Sequence, residues 1–455
     1  MSDRLAAEVM SRPLAKGWQW IPLGQYVENL DGRRVPVSQK ERETRRGDFP
    51  YYGASGVIDT IDGHTHDGEF VLIGEDGANL LTRSKPIAFQ AKGKIWVNNH
   101  AHVLRCKPGF SNAYLAYYIN SIDLSPYVTG TAQPKLSQSM MNKIPVPVAP
   151  PDQQIRIVEE IDKQFSRLDE AVANLQRVKA NLKRYKAAVL KAAVEGRLVE
   201  TEASLARREG RGYETAAERI GKTPTPPRPN RFNSRTGDVI YGHGALAVGI
   251  PAVSVPEGWQ WVNLVEIAKM ESGHTPSRNH PEWWDGDVPW IGIADARDHH
   301  EQVILRTLQN TNEDGLANSA ARLLPAGTVC VSRTASVGYV VVMGRPMATS
   351  QDFVNWVPTS AVTSDWLRIV FSADREALIR FGKGSVHKTI YFPEWLSASI
   401  ALPPLAEQVR IAAEVDRRVS VLRSVEAEVE ANLRRAEALR QATLEKAFSA
   451  GEKNA

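Results

Sequence analysis

The tetrapeptide Gly-Trp-Gln-Trp occurs twice in this chain, as KGWQWIPL at residues 16–23 and as EGWQWVNL at residues 257–264. The two copies lie 241 positions apart in a sequence of 455 residues that holds 11 tryptophans. Such a repeat is either a coincidence or the mark of an internal duplication, and further repeats in the same order would decide between the two.

Other segments recur in the same order. PPDQQIRIVEEID at residues 150–162 is similar to PLAEQVRIAAEVD at residues 404–416, at an offset of 254. At that offset GTAQPKL at residues 130–136 corresponds to GSVHKTI at residues 384–390. Further on, LKAAVEG is echoed by EKAFSAG. We therefore predict that the chain is a tandem duplication whose second variable body is longer than its first.

Each half has a variable body followed by a long helix. Runs such as EFVLIG (69–74) and GTVCVS (327–332) predict strands. Prolines then end the β region and favour a new helix just after them. Each predicted helix has about 44 residues, or roughly 65 Å, with apolar residues spaced by three and four as in a coiled-coil seam. We expect the two seams to pack on each other; the alternative is that each helix packs on its own domain.

These patterns predict an α+β fold with two β-rich domains in a pseudo-symmetric tandem, joined by two long antiparallel coiled-coil helices. Residues 201–255 contain KTPTPPRPNRF, and their proline and glycine content favours a linker. The predicted segments are domain 1 at 1–148, helix 1 at 149–200, the linker at 201–255, domain 2 at 256–401 and helix 2 at 402–455.

Composition excludes several classes of protein. No apolar run approaches the roughly 18 residues of a membrane span, and the first ten residues lack the apolar core of a signal peptide. We therefore expect no membrane association and a cytoplasmic location. Cys106 and Cys330 are far apart, which argues against a disulfide framework and a cysteine-based zinc site. The net charge of +4 favours an anionic partner only weakly.

The variable bodies resemble a known family. SGHTPSRNHPEWWDGDVPWI at residues 272–291 resembles the G-x-T-P-S-R … P-x-x-W … G-x-x-P-W opening of target-recognition domains in the specificity subunits of type I restriction-modification systems. The first body, with DGRRVPVSQKERETRRGDFPYYGASGVID at 31–59 and IGEDGANL at 73–80, resembles another variety of these domains. Both helices begin with the P-x-x-E/Q-Q-x-R-I pattern, although Gln153 stands where the family more usually has Glu.

The resemblance covers the chain except its linker and extreme N-terminus. It implies two recognition domains that each read one half of an asymmetric bipartite sequence in double-stranded DNA. It also implies that the helices set the gap and dock methyltransferase subunits, two of them, with restriction subunits joining the complex. S-adenosylmethionine, ATP and Mg2+ are then expected in those partner subunits, and no cofactor and no catalysis in this chain.

The residues offer no chemistry of their own. The Asn/Asp-Pro-Pro-aromatic loop of adenine methyltransferases and the G-x-x-x-x-G-K-S/T loop of motors do not occur. His64 with His66, and His100 with His102, form H-x-H pairs, but no cysteine or acidic group obviously completes a metal site. We predict no metal and interpret these histidines as surface or DNA-facing groups.

DNA contacts need basic, hydroxyl and amide side chains in loops that reach a groove. For each candidate the alternative is an ordinary polar loop. The candidate DNA contacts in the first body are Arg33, Arg34, Arg45, Arg46, Tyr51, Tyr52, Ser55, Thr131 and Lys135. Those in the second body are Thr275, Ser277, Arg278, Ser332, Arg333, Thr334, Gln351, Lys383, Ser385 and Lys388. The candidate partner contacts are Gln154, Arg156, Gln408 and Arg410.

Two features leave alternatives open. The first long helix ends in a basic run that includes Arg177, Lys186 and Arg197, which is either a solvated face or a surface for DNA or an acidic partner. The paired tryptophans are more often core than ligand contacts, so we interpret Gly-Trp-Gln-Trp as a strand that anchors each domain. Rival functions are the recognition subunit of a fused restriction-modification enzyme and a coiled-coil scaffold with no role on DNA.

Overall fold

A computed structural model of the chain describes residues 2–130, 132–227, 240–241, 244–334, 336–382 and 388–449. They form two compact units. Unit 1 draws on residues 1–177 and 429–455, and unit 2 on residues 178–428. The fold is α+β, with a β-rich domain in each unit and two long helices that contribute to both. No helix in the described part of the chain is long and apolar enough to cross a membrane.

The domain of unit 1 is built on a six-stranded sheet of order β2-β7-β5-β6-β3-β4, and a separate pair, β1-β8, adjoins the long helix. The strands are β1 Gln19–Pro22, β2 Val27–Asn29, β3 Phe49–Gly53, β4 Gly56–Ile61, β5 His66–Gly74, β6 Ala88–Val97, β7 Ala101–Cys106 and β8 Pro145–Val148. The helices are α1 Ser2–Met10, α2 Leu23–Tyr26, α3 Gln39–Thr44, α4 Asn79–Thr82, α5 Asn112–Ser121, α6 Gln138–Met141 and α7 Pro151–Val194, with short 3-10 turns at Asp31–Arg33 and Ser125–Tyr127.

Unit 2 has sheets of order β12-β19-β16-β17-β14, β15-β13-β18 and β11-β20-β10-β9. The strands are β9 Ile240–Tyr241, β10 Leu246–Val248, β11 Gln260–Asn263, β12 Ala268–Ser272, β13 Val288–Ile291, β14 Gln302–Ile304, β15 Gln309–Thr311, β16 Val329–Ser332, β17 Val340–Met343, β18 Ala348–Thr349, β19 Phe353–Pro358 and β20 Ala398–Leu402. The helices are α8 Glu202–Glu209, α9 Ala216–Gly221, α10 Leu264–Ile267, α11 Ile293–Asp298, α12 Glu313–Ala317, α13 Ser364–Ala373, α14 Arg375–Phe381, α15 Phe392–Leu396 and α16 Leu405–Ser449, with a 3-10 turn at Pro281–Trp284.

The two units share a common sheet, as the duplication predicts. The antiparallel strands β2-β7-β5-β6 of unit 1 have the order of β12-β19-β16-β17 in unit 2. In each unit a further strand, β3 or β14, then pairs in parallel with the fourth. Apolar side chains alternate along these strands and are buried on one face of the sheet or on both. Val71, Ile73, Val329 and Val331 are fully buried. The copies diverge in the segments beyond this core.

Both long helices begin at a pair of prolines, and α16 starts at Leu405, directly after Pro404. Pro151 is the first residue of α7, where the missing N–H costs no hydrogen bond. α7 ends at Val194 because Gly196 adopts a positive φ of 68° and the Arg197 N–H donates back to the Ala192 carbonyl at 2.8 Å.

α7 and α16 pack antiparallel within each unit. In unit 1 the Arg440 guanidinium pairs with Asp169 and lies over the Phe165 ring, while Thr443 donates to Gln164. In unit 2 the apolar residues near the end of α7 share a core with those near the start of α16. These are Val189, Leu190, Ala193, Val194, Ile411, Ala412, Val415 and Val419. The predicted packing of the two helices on each other is therefore confirmed.

The repeated Gly-Trp-Gln-Trp segment makes the same contacts in both units. β1 pairs antiparallel with β8 so that Trp20 faces Pro147, and β11 pairs with β20 so that Trp261 faces Ala401. The Trp18 indole donates to Gln153 Oε1 at 2.8 Å. The equivalent Trp259 indole donates to Glu407 Oε1 at 2.9 Å. The tryptophans therefore attach each domain to the start of its long helix, in agreement with the anchoring role predicted for them.

A buried glutamine strengthens this attachment. Gln154 in unit 1 accepts a hydrogen bond from the Ser111 N–H, at the N-cap of α5, and donates to the Ala149 carbonyl at 2.8 Å. Gln408 in unit 2 accepts from the Thr363 N–H, at the N-cap of α13, at 2.9 Å and donates to the Pro403 carbonyl at 3.0 Å. The expectation that these two glutamines contact a partner protein is wrong, because both are buried and hydrogen-bonded within their own unit.

The predicted linker also needs correction. Residues 201–255 include α8, α9, β9 and β10, and they belong to unit 2. Ala203, Ala206, Ala245 and Leu246 are buried. The Ala216 N–H donates to the Gly258 carbonyl at 2.9 Å. Proline and glycine content alone misled the prediction, since much of this segment packs on the domain.

The same strand edge is covered differently in the two units. β10 pairs with β20, and the Ala401 N–H donates to the Ala245 carbonyl at 2.9 Å. At the equivalent position of β8 stands Pro147, which has no N–H, and Pro145 precedes it by two residues. The carbonyls of these prolines accept from the hydroxyls of Tyr114 and Tyr118 at 2.5 and 2.6 Å. Within the described residues β8 pairs with no strand other than β1, and helix α1 also lies beside it.

Substitution of Gln408 by Leu tests the buried anchor. The change leaves the Thr363 N–H and the Pro403 and Ala361 carbonyls without their partner in a buried site, so we expect the free energy of unfolding to fall by about 3 kcal/mol. Urea denaturation followed by tryptophan fluorescence measures this change. Val409→Ala at the adjacent exposed position is the control, and equal stability of the two variants would contradict the assignment.

Candidate nucleic-acid interface

Three loops meet in unit 1 where β5 ends and β7 begins, and we refer to residues 74–77, 98–100, 129–130 and 132–136 as the unit 1 junction. The Glu75 N–H donates to the His100 carbonyl and the Leu136 N–H to the Glu75 carbonyl, both at 2.8 Å. The backbones of Lys135 and Thr129 exchange two hydrogen bonds, and Lys135 forms a β-bridge with Asp76. Backbone hydrogen bonds therefore hold the segment that contains Lys135 against the loop after β5.

A cluster of charged side chains lies beneath this junction. Arg34 donates to Glu75 at 2.5 Å and to the Ala101 carbonyl at 2.9 Å, and Lys135 lies 3.1 Å from Glu75. Burial opposes ionisation of Glu75, but hydrogen bonds from Arg34 and Lys135 outweigh it and keep the pKa of Glu75 lowered. Arg34 is thus committed to an internal ion pair, which corrects its prediction as a DNA contact. Lys135 is exposed beside the same carboxylate.

His102 joins this cluster from β7. Its Nδ1 lies 2.6 Å from Asp31 and its Nε2 lies 2.8 Å from the Leu136 carbonyl. Burial opposes ionisation of Asp31, but its hydrogen bond with His102 contributes to an overall lowering of its pKa. Asp31, Glu75 and His102 bring three ligand atoms within 4.8 Å of one another. Two acidic residues that the sequence argument did not connect with these histidines, Asp31 and Glu75, therefore lie beside His102 of this H-x-H pair.

The cluster is nonetheless satisfied without a metal ion. Arg34 and Lys135 neutralise Glu75, and both nitrogens of His102 already have acceptors. A cation bound here would have to displace these partners. We therefore assign the cluster to an ion-pair network that fixes the junction. His66, from the other H-x-H pair, is also buried and faces the Leu30 carbonyl at 3.3 Å.

The remaining candidates of unit 1 divide by exposure. Tyr51 is 1% exposed and its hydroxyl bonds to the backbone of Val37, so its prediction as a DNA contact is wrong. Arg45 pairs with Asp62 at 2.8 Å and lies over the Trp96 ring. The others are Arg33 and Arg46, which are exposed, Tyr52, which stacks on Phe89, Ser55, which lies half-buried in the turn between β3 and β4, and Thr131, which lies outside the described residues.

Unit 2 contains the same arrangement of loops, which we call the unit 2 junction: residues 332–334, 350–352 and 388–390. The Arg333 N–H donates to the Asp352 carbonyl at 2.8 Å, and the Ile390 N–H donates to the Arg333 carbonyl at 2.9 Å. Thr334 forms a β-bridge with Thr389. The predicted Thr334 and Lys388 therefore lie in one junction, while Lys383 and Ser385 fall outside the described residues.

Two predicted side chains of this junction are less accessible than expected. Ser332 is fully buried, and its hydroxyl donates to the Ser336 carbonyl at 2.5 Å and accepts from the Tyr339 N–H at 2.8 Å. Its prediction as a DNA contact is wrong. The Arg333 guanidinium lies 4.5 Å from the centre of the Phe392 ring. Burial lowers the pKa of Arg333, although the charges of Asp352 and Tyr391 oppose that shift.

The Thr-Pro-Ser-Arg loop reaches the same junction. Thr275 donates a hydrogen bond to Gln351, which directly precedes Asp352. The Arg278 guanidinium lies 3.6 Å from the centre of the Trp284 ring and donates to Gln309 at 2.8 Å. Ser277 is exposed beside it. A stacked, exposed guanidinium is preorganised for a phosphate or for the edge of a guanine.

The two predicted arginines at the helix starts differ. Arg410 pairs with Glu202 of α8 within unit 2, so the structure corrects its prediction as a partner contact. Arg156 is exposed on α7 and donates to the Asp152 carbonyl of its own helix. In the basic run, Lys186 pairs with Glu301 and Arg197 with Glu195. These two charges are therefore neutralised inside their unit.

Neither Asp76 nor Asp352 was among the predicted DNA contacts, although each engages a residue that the sequence argument had considered. His100 pairs with Asp76 at 2.8 Å in unit 1, and Asp352 accepts a hydrogen bond from the Thr334 hydroxyl at 3.0 Å in unit 2. Asp76 precedes Gly77, and because Asp-Gly is common in turns, the sequence offered no reason to assign Asp76 a function. The alignment of the duplicated halves could have found them, since Asp76 and Thr334 hold equivalent places.

Family comparison agrees with this duplicated architecture. The model of the type I restriction modification DNA specificity domain matches residues 15–184 and 256–431. The chain belongs to this family. Each match begins near a Gly-Trp-Gln-Trp segment and extends into a long helix.

Individual relatives cover smaller parts of the chain. A Haemophilus influenzae protein named as type I restriction enzyme specificity subunit S.HindORF215P is 37% identical over 144 residues, which are 32% of this chain and 36% of that protein. The MjaIX specificity subunit of Methanocaldococcus jannaschii is 29% identical over 160 residues, or 35% of this chain and 37% of that protein. The chain thus spans little more than a third of the length of these relatives.

A solved structure resembles the whole chain. It comes from a study of complex assembly and conformational transition of the type I R-M system, and it covers 97% of this chain and 99% of its own. The TM-score is 0.63 at 17% sequence identity. At that identity the likeness establishes a shared fold.

Acid titration tests the ion-pair network of unit 1. Because the folded-state pKa of Glu75 is lowered, its ion pairs stabilise the fold above the pKa of the unfolded chain, and this contribution is lost as the pH falls through the folded-state value. We expect Glu75→Gln to lower the free energy of unfolding by about 3 kcal/mol at pH 7 and by progressively less as the pH falls below about 4.

Urea denaturation across that pH range measures both effects. Glu69→Gln is a matched control, because Glu69 lies on β5, the strand that leads to Glu75, and pairs with Lys92 at an exposed position. A constant difference between Glu75→Gln and wild type at every pH would contradict the assignment.

Proposed function

We propose that this chain is the DNA sequence-specificity subunit of a type I restriction-modification complex. Each recognition domain would read one half of a bipartite site in double-stranded DNA. The carrying observation is that the specificity-domain model matches the chain twice, once in each half. The junctions support this function because they set different polar side chains on equivalent backbone positions, as two different half-sites require.

The chain would perform no chemistry itself. Methyltransferase subunits, two in the simplest arrangement, would bind S-adenosylmethionine, and restriction subunits would use ATP and Mg2+. The exposed charges of the long helices offer docking positions for such partners, and Arg156 remains a candidate contact.

Binding to DNA should be specific and sensitive to salt. We expect the purified complex of this chain with its methyltransferase subunits to select one bipartite sequence from random DNA. Since phosphate contacts release counterions, its affinity should fall by roughly a hundredfold or more between 50 and 200 mM salt. Selection followed by sequencing, and fluorescence anisotropy at several salt concentrations, measure these properties. A complex that binds no DNA under any of these conditions would favour the scaffold function.

The long helices would set the distance between the half-sites. Deletion of seven residues, two turns, from the middle of both α7 and α16 shortens each helix by about 10 Å. We expect the gap in the selected sequence to shrink by about three base pairs, at 3.4 Å each, with both half-sites unchanged. Altered half-sites with an unchanged gap would contradict this role, and deletions confined to one helix serve as misfolding controls.

A further inference from the structure

The two junctions share one backbone frame. In unit 1, Ile73 of β5 faces His102 of β7, and in unit 2, Val331 of β16 faces Val354 of β19. Counted from these register pairs, Glu75 corresponds to Arg333, Asp76 to Thr334 and His100 to Asp352. The hydrogen bond from residue 75 to the carbonyl of residue 100 and that from residue 333 to the carbonyl of residue 352 are both 2.8 Å.

The third loop confirms this correspondence. The offset of 254 between the repeated segments maps Lys135 onto Thr389. Lys135 forms its β-bridge with Asp76, and Thr389 forms its β-bridge with Thr334. The same backbone positions thus meet in both units, although the loops differ in sequence.

The side chains at these positions have exchanged their chemistry. In unit 1 the acid is Asp76, and it engages the Nδ1 atom of His100 at 2.8 Å. In unit 2 the acid stands at the other position, where Asp352 accepts from the Thr334 hydroxyl at 3.0 Å. The contact between the two positions is kept while the donor and the acceptor change places.

A surface that recognises DNA sequence needs a constant backbone frame with side chains that vary. A fixed frame brings a side chain to the same place in a groove, and the side chain then decides which base edge it can bind. The side chain of His100 is 46% exposed, and with Nδ1 engaged by Asp76 its second nitrogen is available to a ligand. Asp352 is half-buried, with one oxygen bound by Thr334 and the other by Ser350, so each oxygen retains a lone pair.

We propose that His100, oriented by Asp76, and Asp352, oriented by Thr334, are equivalent specificity-determining residues of the two domains. Asp352 accepts a hydrogen bond from the exocyclic amino group of a cytosine. His100 presents its Nε2 atom to the edge of a purine. The inference rests on the proposed function, and it predicts that the two half-sites differ at the base pair that this position faces.

Exchange of the pairs tests the inference. The variant Asp76→Thr with His100→Asp gives unit 1 the pair that the same frame holds in unit 2. In selection from random DNA by the complex with its methyltransferase subunits, we expect the preference for one or two base pairs of half-site 1 to change by about tenfold or more. Half-site 2 and the gap should stay as in wild type. The reciprocal variant Thr334→Asp with Asp352→His should alter half-site 2 alone.

Two further variants separate specificity from folding. His100→Gln replaces one exposed side chain, and because a glutamine amide suits adenine it should shift the preference at the same base pair. Asp67→Asn with Glu69→Gln is the control, since both residues are exposed on β5 away from the junction. Thermal unfolding reports whether each variant folds.

The outcomes distinguish the two proposals. If folded exchange variants and His100→Gln all select the wild-type sequence, this inference is overturned and the proposed function stands. A folded exchange variant that loses selection at half-site 1 and keeps half-site 2 supports the inference. If the wild-type complex selects no bipartite sequence, the proposed function itself fails.

Discussion

A buried amide ties each long helix to the domain beside it. Gln154 and Gln408 stand one turn into their helices, and each accepts from the N-cap of the domain's main helix while donating to the carbonyl at the end of a strand. The neighbouring tryptophan indole adds a second bond from the repeated segment. Since the amide and indole sit where strand, helix and cap converge, few rotations of the domain on the helix are compatible with them. The direction in which each set of loops points depends on this attachment.

The junctions combine constancy with variation. Their backbone hydrogen bonds repeat between the units to within 0.1 Å, whereas the side chains at equivalent places differ in charge and size. In unit 1 the space beneath the frame is filled by an ion-pair network around His102, and in unit 2 the equivalent residue is the apolar Val354. The frame therefore does not depend on one particular set of supporting groups. Such independence allows the exposed positions to change without rebuilding the sheet.

The sequence predicted the architecture because the repeated features are local or periodic. Proline positions, a seam with spacings of three and four, and constant offsets locate the helices and the duplication. The linker was misjudged although Thr215 and Glu218 form a capping box, which was a readable sign of α9.

The candidate site was predicted less well because burial depends on distant partners. Nothing near Tyr51 in sequence indicates that its hydroxyl bonds to Val37, and nothing near Arg34 places it against Glu75 across 41 positions. Polar residue types therefore identified loops that the structure brings together, with Arg278, Thr334 and Lys135 among their residues. They did not distinguish an exposed side chain from one that is already committed to the interior.

The prolines of β8 give the two halves different degrees of modularity. Pro145 and Pro147 have no N–H groups, and tyrosine hydroxyls donate to their carbonyls. In the described part of the chain no strand other than β1 pairs with β8. In the second domain the equivalent edge, that of β20, pairs with β10. This strand precedes the Trp259 segment in the chain. A natural or engineered recombination at the repeated tryptophans would thus transfer every strand of the first domain, from β1 to β8. The same cut would separate the second domain from β10. A segment that transfers all strands of the second domain must therefore begin earlier, between the two halves.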